Sequence, residues 1–132
     1  MNEAGCGVRP EDIGRFLEEY EGGEETATQI LTILAEEIPD RVKQIRKNFE
    51  AGHLETAAAV AHTLTSSVGV LGNACQTETI RELEKELRAA EENRAGRPDP
   101  DLPGSISRAE EEMGALLSAI RQALSTTRRS RD

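Results

Sequence analysis

The sequence predicts an all-α fold: an antiparallel up-down four-helix bundle with a short additional N-terminal helix. Three observations carry this. Leu, Ile, Val and Ala supply most of the apolar residues, and only Phe16, Tyr20 and Phe49 are aromatic. β-Rich domains instead draw heavily on aromatic and β-branched residues. Apolar residues recur at three- and four-residue steps along successive stretches, the spacing of one helix face. Between those stretches the chain is punctuated by Gly, Asn and Pro. At 132 residues it is long enough for one domain around one core.

Residues 1–9 read as a flexible tail, rich in Gly and without periodicity. Pro10 opens a short helix with Glu11 and Asp12 in its first turn, where the missing proline N–H costs nothing and acidic groups suit the helix dipole. Ile13, Phe16, Leu17 and Tyr20 form its stripe, and Gly22-Gly23 ends it. A long helix is predicted from about Glu24 to Ala51, with Ile30, Leu34, Ile38, Val42, Ile45 and Phe49 on one face. Pro39 interrupts the backbone bonding there, but the stripe continues on both sides, so one bent helix is expected. After the Gly52-His53 turn, Leu54, Ala57, Ala61, Leu64, Val68 and Leu71 form the inner face of the next helix. Gly72 and Asn73 mark its end, since both tolerate the left-handed conformation. A further helix covers about Ala74 to Asn93, with Ile80, Leu83, Leu87 and Ala90 inward and a mixed-charge outer face. Residues 95–104 hold three prolines and two glycines and read as a linker. Ser107 and Glu110 have capping-box spacing for a last helix, whose stripe is Ile106, Ala109, Met113, Leu116, Leu117, Ile120 and Leu124. The bundle domain thus takes 10–127, with 128–132 expected to fray. Four such stripes are buried most simply against one another.

The net charge of −9 opposes binding to nucleic acid or anionic membranes. Cys6 and Cys75 show neither metal-ligand spacing nor a disulfide framework, which predicts two free thiols in a reducing compartment. No apolar run is long enough to span a membrane, so a cytoplasmic protein is expected. There is no Gly-rich phosphate loop and no kinase motif. His53 follows Gly52 in a turn and is assigned no chemistry.

His62 falls on the water-facing side of its helix, ringed by small side chains. Successive helix residues rotate by about 100°, which sets His62 about 130° from the centre of the inner face, towards solvent. Around it the wheel places Glu55, Ala58, Ala59, Thr65, Ser66 and Gly69. All but Glu55 are small, on a protein whose helix surfaces are otherwise crowded with Glu, Lys and Arg. An imidazole with low walls can be reached by another protein.

The run His62-Thr63-Leu64-Thr65-Ser66-Ser67-Val68-Gly69-Val70-Leu71-Gly72 resembles the signature of histidine-containing phosphotransfer (HPt) domains. That signature reads roughly His-x-Leu-Lys-Gly-Ser, followed by an apolar residue and Gly. Ala61 also fits, as do the turns at Gly22-Gly23 and Ala51-Gly52. The resemblance covers about Phe16 to Ala90. It implies that His62 accepts a phosphoryl group from a receiver-domain phospho-aspartate and passes it to another receiver. The receiver would belong to a response regulator or hybrid sensor kinase. The domain is then a carrier, not an enzyme, with no cofactor of its own and Mg²⁺ supplied by the partner. No nucleic acid or membrane partner and a monomeric state are expected. Two positions depart from the pattern: Thr65 stands where Lys is usual, and Ser66 where Gly is usual. Both would neighbour the phosphate, with Lys43, Lys47 or Arg81 as possible sources of compensating charge. The receiver-docking surface is expected to include Glu55, Ala58, Ala59, Gly69, Lys43 and Lys47. The alternative is an HPt-like module that docks a receiver without phosphotransfer; a bundle of unrelated interaction function is a third reading.

Overall fold

A computed structural model describes residues 9–72, 74–93 and 101–131. These form α1 (Pro10–Glu19), α2 (Glu24–Glu50), α3 (Leu54–Gly69), α4 (Ala74–Glu92) and α5 (Leu102–Arg131). No strand occurs among the described residues. Helices α2 to α5 form a four-helix bundle in which α2 and α4 each pack against both α3 and α5. Helix α2 therefore stands diagonally opposite α4, and α3 opposite α5. The additional α1 lies against α2 and α5.

Each element follows from local chemistry. Pro10 is the first residue of α1, and the Asp12 carboxylate accepts a hydrogen bond from the Arg9 backbone N–H at 3.0 Å. Helix α2 runs as a single helix through Pro39, as its continuous stripe requires. The turns after it and after α3 place Gly52 at φ 83° and Gly72 at φ 74°, a backbone conformation that glycine adopts without strain. Helix α3 stops at Gly69, two residues before the expected end. There the backbone tightens: Leu71 N–H bonds Val68 O at 3.1 Å and Gly72 N–H bonds Gly69 O at 3.0 Å.

The inward stripes meet in one core. Leu31, Ile38, Leu64, Ile80, Ile106 and Met113 are among its fully buried side chains. Burying each such side chain contributes roughly 1.5–3 kcal/mol. On α3 the buried residues include Ala57, Ala58 and Ala61. Methyl groups at these positions let the neighbouring helices come close to the backbone of α3.

Several expectations are corrected here. Helix α5 begins at Leu102 rather than near Ser107, and carries Pro103 in its first turn, where a missing N–H is tolerated. Ser105 N–H donates to Asp101 O at 2.9 Å, closing that turn. Of the expected linker, 95–100 lie outside the described residues. Ser107 and Glu110 do not cap α5 but bind across the bundle. Arg46 Nη2 donates to Ser107 Oγ at 3.2 Å and to Glu110 Oε1 at 2.8 Å, and Arg46 Nε donates to Glu110 Oε2 at 3.0 Å. The helix also continues through Arg131, past the point where fraying was expected. Cys75 is disulfide-bonded, not a free thiol, which removes the argument for a reducing compartment; Cys6 and the rest of the expected tail to Val8 lie outside the described residues. Asn73, expected to end α3, does too.

Candidate functional site

The site is built where α3 and α4 run side by side. His62 sits in the middle of α3, one residue past buried Ala61 and two before buried Leu64. Those neighbours fix the rotation of the helix and turn the imidazole outward, so that its side chain is 68% exposed. Its Nδ1 lies 3.2 Å from Glu84 Oε1 on α4. Glu84 sits beside the buried stripe of Ile80, Leu83 and Leu87, and its side chain is only 15% exposed. The other carboxylate oxygen, Oε2, accepts a hydrogen bond from Arg88 Nε at 2.9 Å. Arg88 is one turn further along the same helix.

Electrostatics fixes the chemistry of this contact. Burial pushes the Glu84 carboxyl up, but hydrogen bonds from Arg88 and His62, with the charge of Arg88, outweigh it and hold the group below the usual carboxylate range. An ionised carboxylate only accepts hydrogen bonds, so Nδ1 carries the hydrogen. In the neutral ring Nε2 then holds the lone pair. The arrangement is an oriented nitrogen nucleophile whose partner can balance positive charge on the ring.

The other predicted residues divide. Glu55, Ala59, Ser66 and Gly69 are exposed on α3, and a side chain at Gly69 would meet nothing within 4 Å. Ala58 is fully buried, which corrects its place on the docking surface: it lies on the flank of the inner stripe and fills space between helices. Thr65 is half-buried, and its hydroxyl donates to Ala61 O at 3.0 Å. That proton is committed to the helix backbone rather than to a phosphate. Lys43 lines a groove with Pro39, Met113 and Leu117 on the α2–α5 side, the edge of the bundle away from the α3–α4 pair. Lys47 is about 180° round α2 from buried Ile38. Lys43 therefore lies on the far side of the bundle from His62 and is corrected as a member of its surface. Arg81 pairs with Glu78 at 3.0 Å on the outside of α4.

Glu84 and Arg88 were not anticipated as site residues. On α4 they read as part of a mixed-charge face, and only the pairing of α3 with α4 brings Glu84 to an imidazole twenty-two residues earlier. The available signal was position: Glu84 borders the apolar stripe, while Glu82 and Lys85 point away from it.

The bundle thus presents the exposed imidazole of His62, held from behind by a half-buried carboxylate. The chain belongs to the Hpt domain family, whose model matches residues 29–129. No curated protein and no solved structure matches it. Hpt domains are phosphocarrier modules of phosphorelay signalling, act with receiver domains and are not kinases. No helix among the described residues is long and apolar enough to cross a membrane.

Proposed function

We propose that His62 is the phosphoryl acceptor and that the protein shuttles phosphoryl groups between receiver domains. The observation that carries this reading is the Glu84–His62 hydrogen bond, which leaves Nε2 as the lone-pair nitrogen of an exposed ring. Nε2 attacks the phosphorus of an aspartyl phosphate. The Nε2–P bond forms as the O–P bond breaks, and the aspartate carboxylate leaves with the electron pair. No proton has to move. The resulting phospho-imidazolium keeps its Nδ1 hydrogen, and Glu84 balances the ring's charge. Return of the phosphoryl group to a second receiver is the same step reversed. Mg²⁺ would be held by the receiver, and the chain supplies no cofactor of its own. Exposed Ala59, Ser66 and Gly69 give the partner room to approach, with Glu55 at the edge of that surface. A monomer acting in the cytoplasm, without nucleic acid or membrane partners, fits this role; with Cys75 oxidised, the compartment follows from the relay chemistry and not from the thiols.

A second reading has one observation in its favour. Three positions after His62 stands Thr65 in place of the usual lysine, and its hydroxyl is bonded to backbone. A module that docks receivers without accepting phosphate would tolerate that loss.

The two are separated by incubating the protein with phosphorylated receiver domains and following acid-labile, alkali-stable label. Transfer to wild type and not to His62→Gln is expected. Receiver binding without label would favour docking alone, and label retained in His62→Gln would overturn the assignment of the residue.

A further inference from the structure

We propose that Arg88 is a positioning residue for His62: acting through Glu84, it keeps the imidazole neutral, with Nε2 free to accept. This rests on the reading of His62 as phosphoryl acceptor. A carboxylate that faced only an imidazole would favour the imidazolium. A ring protonated on both nitrogens has no lone pair to offer phosphorus. Glu84 is placed to cause this, because it is half-buried and its Oε1 is 3.2 Å from Nδ1. Arg88 prevents it. The guanidinium is permanently charged and holds Oε2 at 2.9 Å, so the carboxylate's charge is shared before the imidazole can claim it. The same bond fixes the carboxylate plane and aims Oε1 at Nδ1. Half-neutralised in this way, Glu84 orients the ring without drawing a second proton onto it.

The surroundings leave Arg88 in this role. From α3 the other charged side chain is Glu55; on α4, Lys85 is paired with Glu82 at 3.7 Å; and on α2, which also packs against α3, Glu37 is paired with Arg41 at 4.0 Å and accepts from the Ser67 hydroxyl at 3.5 Å. Arg81 is taken up by Glu78 at 3.0 Å. Thr65 brings no charge where a lysine would stand. Arg88 is the guanidinium that reaches the imidazole's own hydrogen-bond partner. Its side chain is 47% exposed, so replacing it leaves the core intact.

The test is ¹⁵N NMR of the His62 ring against pH in wild type, Arg88→Ala, Arg88→Lys, Glu84→Gln and the double variant Arg88→Ala/Glu84→Gln. In Arg88→Ala the ring should take its second proton at a pH higher by about 0.5 or more than in wild type. Labelling from a phosphorylated receiver should need correspondingly higher pH. Arg88→Lys should restore most of the wild-type profile, and removing Arg88 should matter little once Glu84 is Gln. An unchanged or lowered midpoint in Arg88→Ala overturns the proposal, as does an equal rise in the Glu84→Gln background. Should wild type take no label while the NMR midpoints move as expected, the control of protonation by Arg88 stands and only the acceptor reading falls.

Discussion

His62 is one imidazole whose behaviour is decided by three positions around it. Glu84 is the first. Its folded-state carboxyl lies below its ordinary value of 4.5, since bonds from Arg88 and His62 outweigh the opposing effect of burial. A depressed carboxyl contributes stability above its unfolded value and loses it as pH falls through the folded one. Glu84→Gln should therefore be less stable than wild type at neutral pH, with the gap closing below pH 4.5; urea unfolding at several pH values measures this. Thr65 is the second. A lysine there could pair with phosphoryl oxygens, worth about 1 kcal/mol at an exposed site. Thr65→Lys should accordingly raise the phosphorylated share about fivefold at equilibrium with a phosphorylated receiver. An unchanged partition of label would mean that charge beside Nε2 is immaterial. Gly69 is the third, with open space where a side chain would go. Gly69→Ala should stabilise α3 by about 0.5–1 kcal/mol in thermal unfolding, while Gly69→Glu should fold but obstruct the partner. The sequence made His62 legible because helical rotation alone fixes which way it points. It misled at Ala58, where the wheel sees a flank and the bundle makes an interface. It could not show Glu84, because that contact depends on how far α3 and α4 slide past one another.

At the scale of elements, the clearest long-range device is the clasp of α2 on α5. Arg46 presents its planar guanidinium to both oxygens of Glu110 and to Ser107, a fork geometry that lysine cannot reproduce. The Glu110 carboxyl is held low by hydrogen bonds from Arg46 against the opposing effect of burial, and Arg46 is raised by the same bond. Both side chains keep about a third of their surface in water, so solvent screening limits the pair to about 1 kcal/mol. Arg46→Met should lose about that much at neutral pH by urea titration. Glu110's depressed value means that wild type loses the contribution as pH falls through it, so the two proteins should converge in acid. Equal stability at neutral pH would show that the clasp sets register without adding stability. This element also explains one misreading. Ser107 and Glu110 are three residues apart, the spacing of a capping box, but one helix turn also aligns them to face a partner helix. Spacing cannot choose between those uses. The five stripes were legible because apolar periodicity records burial directly. The start of α5 was not, because Pro103 and Gly104 read as linker although proline in a first turn does not interrupt a helix.

For the whole molecule, the four stripes consume nearly all large apolar side chains. Among the described residues only Ile33 and Val70 are large, hydrophobic and exposed. The Ser67 hydroxyl reaches Glu37 at 3.5 Å, which sets the register of α2 against α3. Ile33 lies one turn before Glu37 and Val70 three residues after Ser67. In an antiparallel pair these displacements run the same way along the bundle, so both apolar side chains stand at one level. Two side chains fall far short of the roughly 800 Å² per partner that a lasting interface buries. They suit a contact that forms and dissolves, as the proposed exchange between receivers requires. Sedimentation equilibrium should return a single species near the chain mass of 14.4 kDa, and Ile33→Asp should not change it. The same substitution should weaken receiver binding several-fold while leaving the His62 NMR titration as in wild type, because Ile33 lies on α2 and touches neither Glu84 nor Arg88. A dimer that Ile33→Asp dissolves would reassign this apolar pair to self-association.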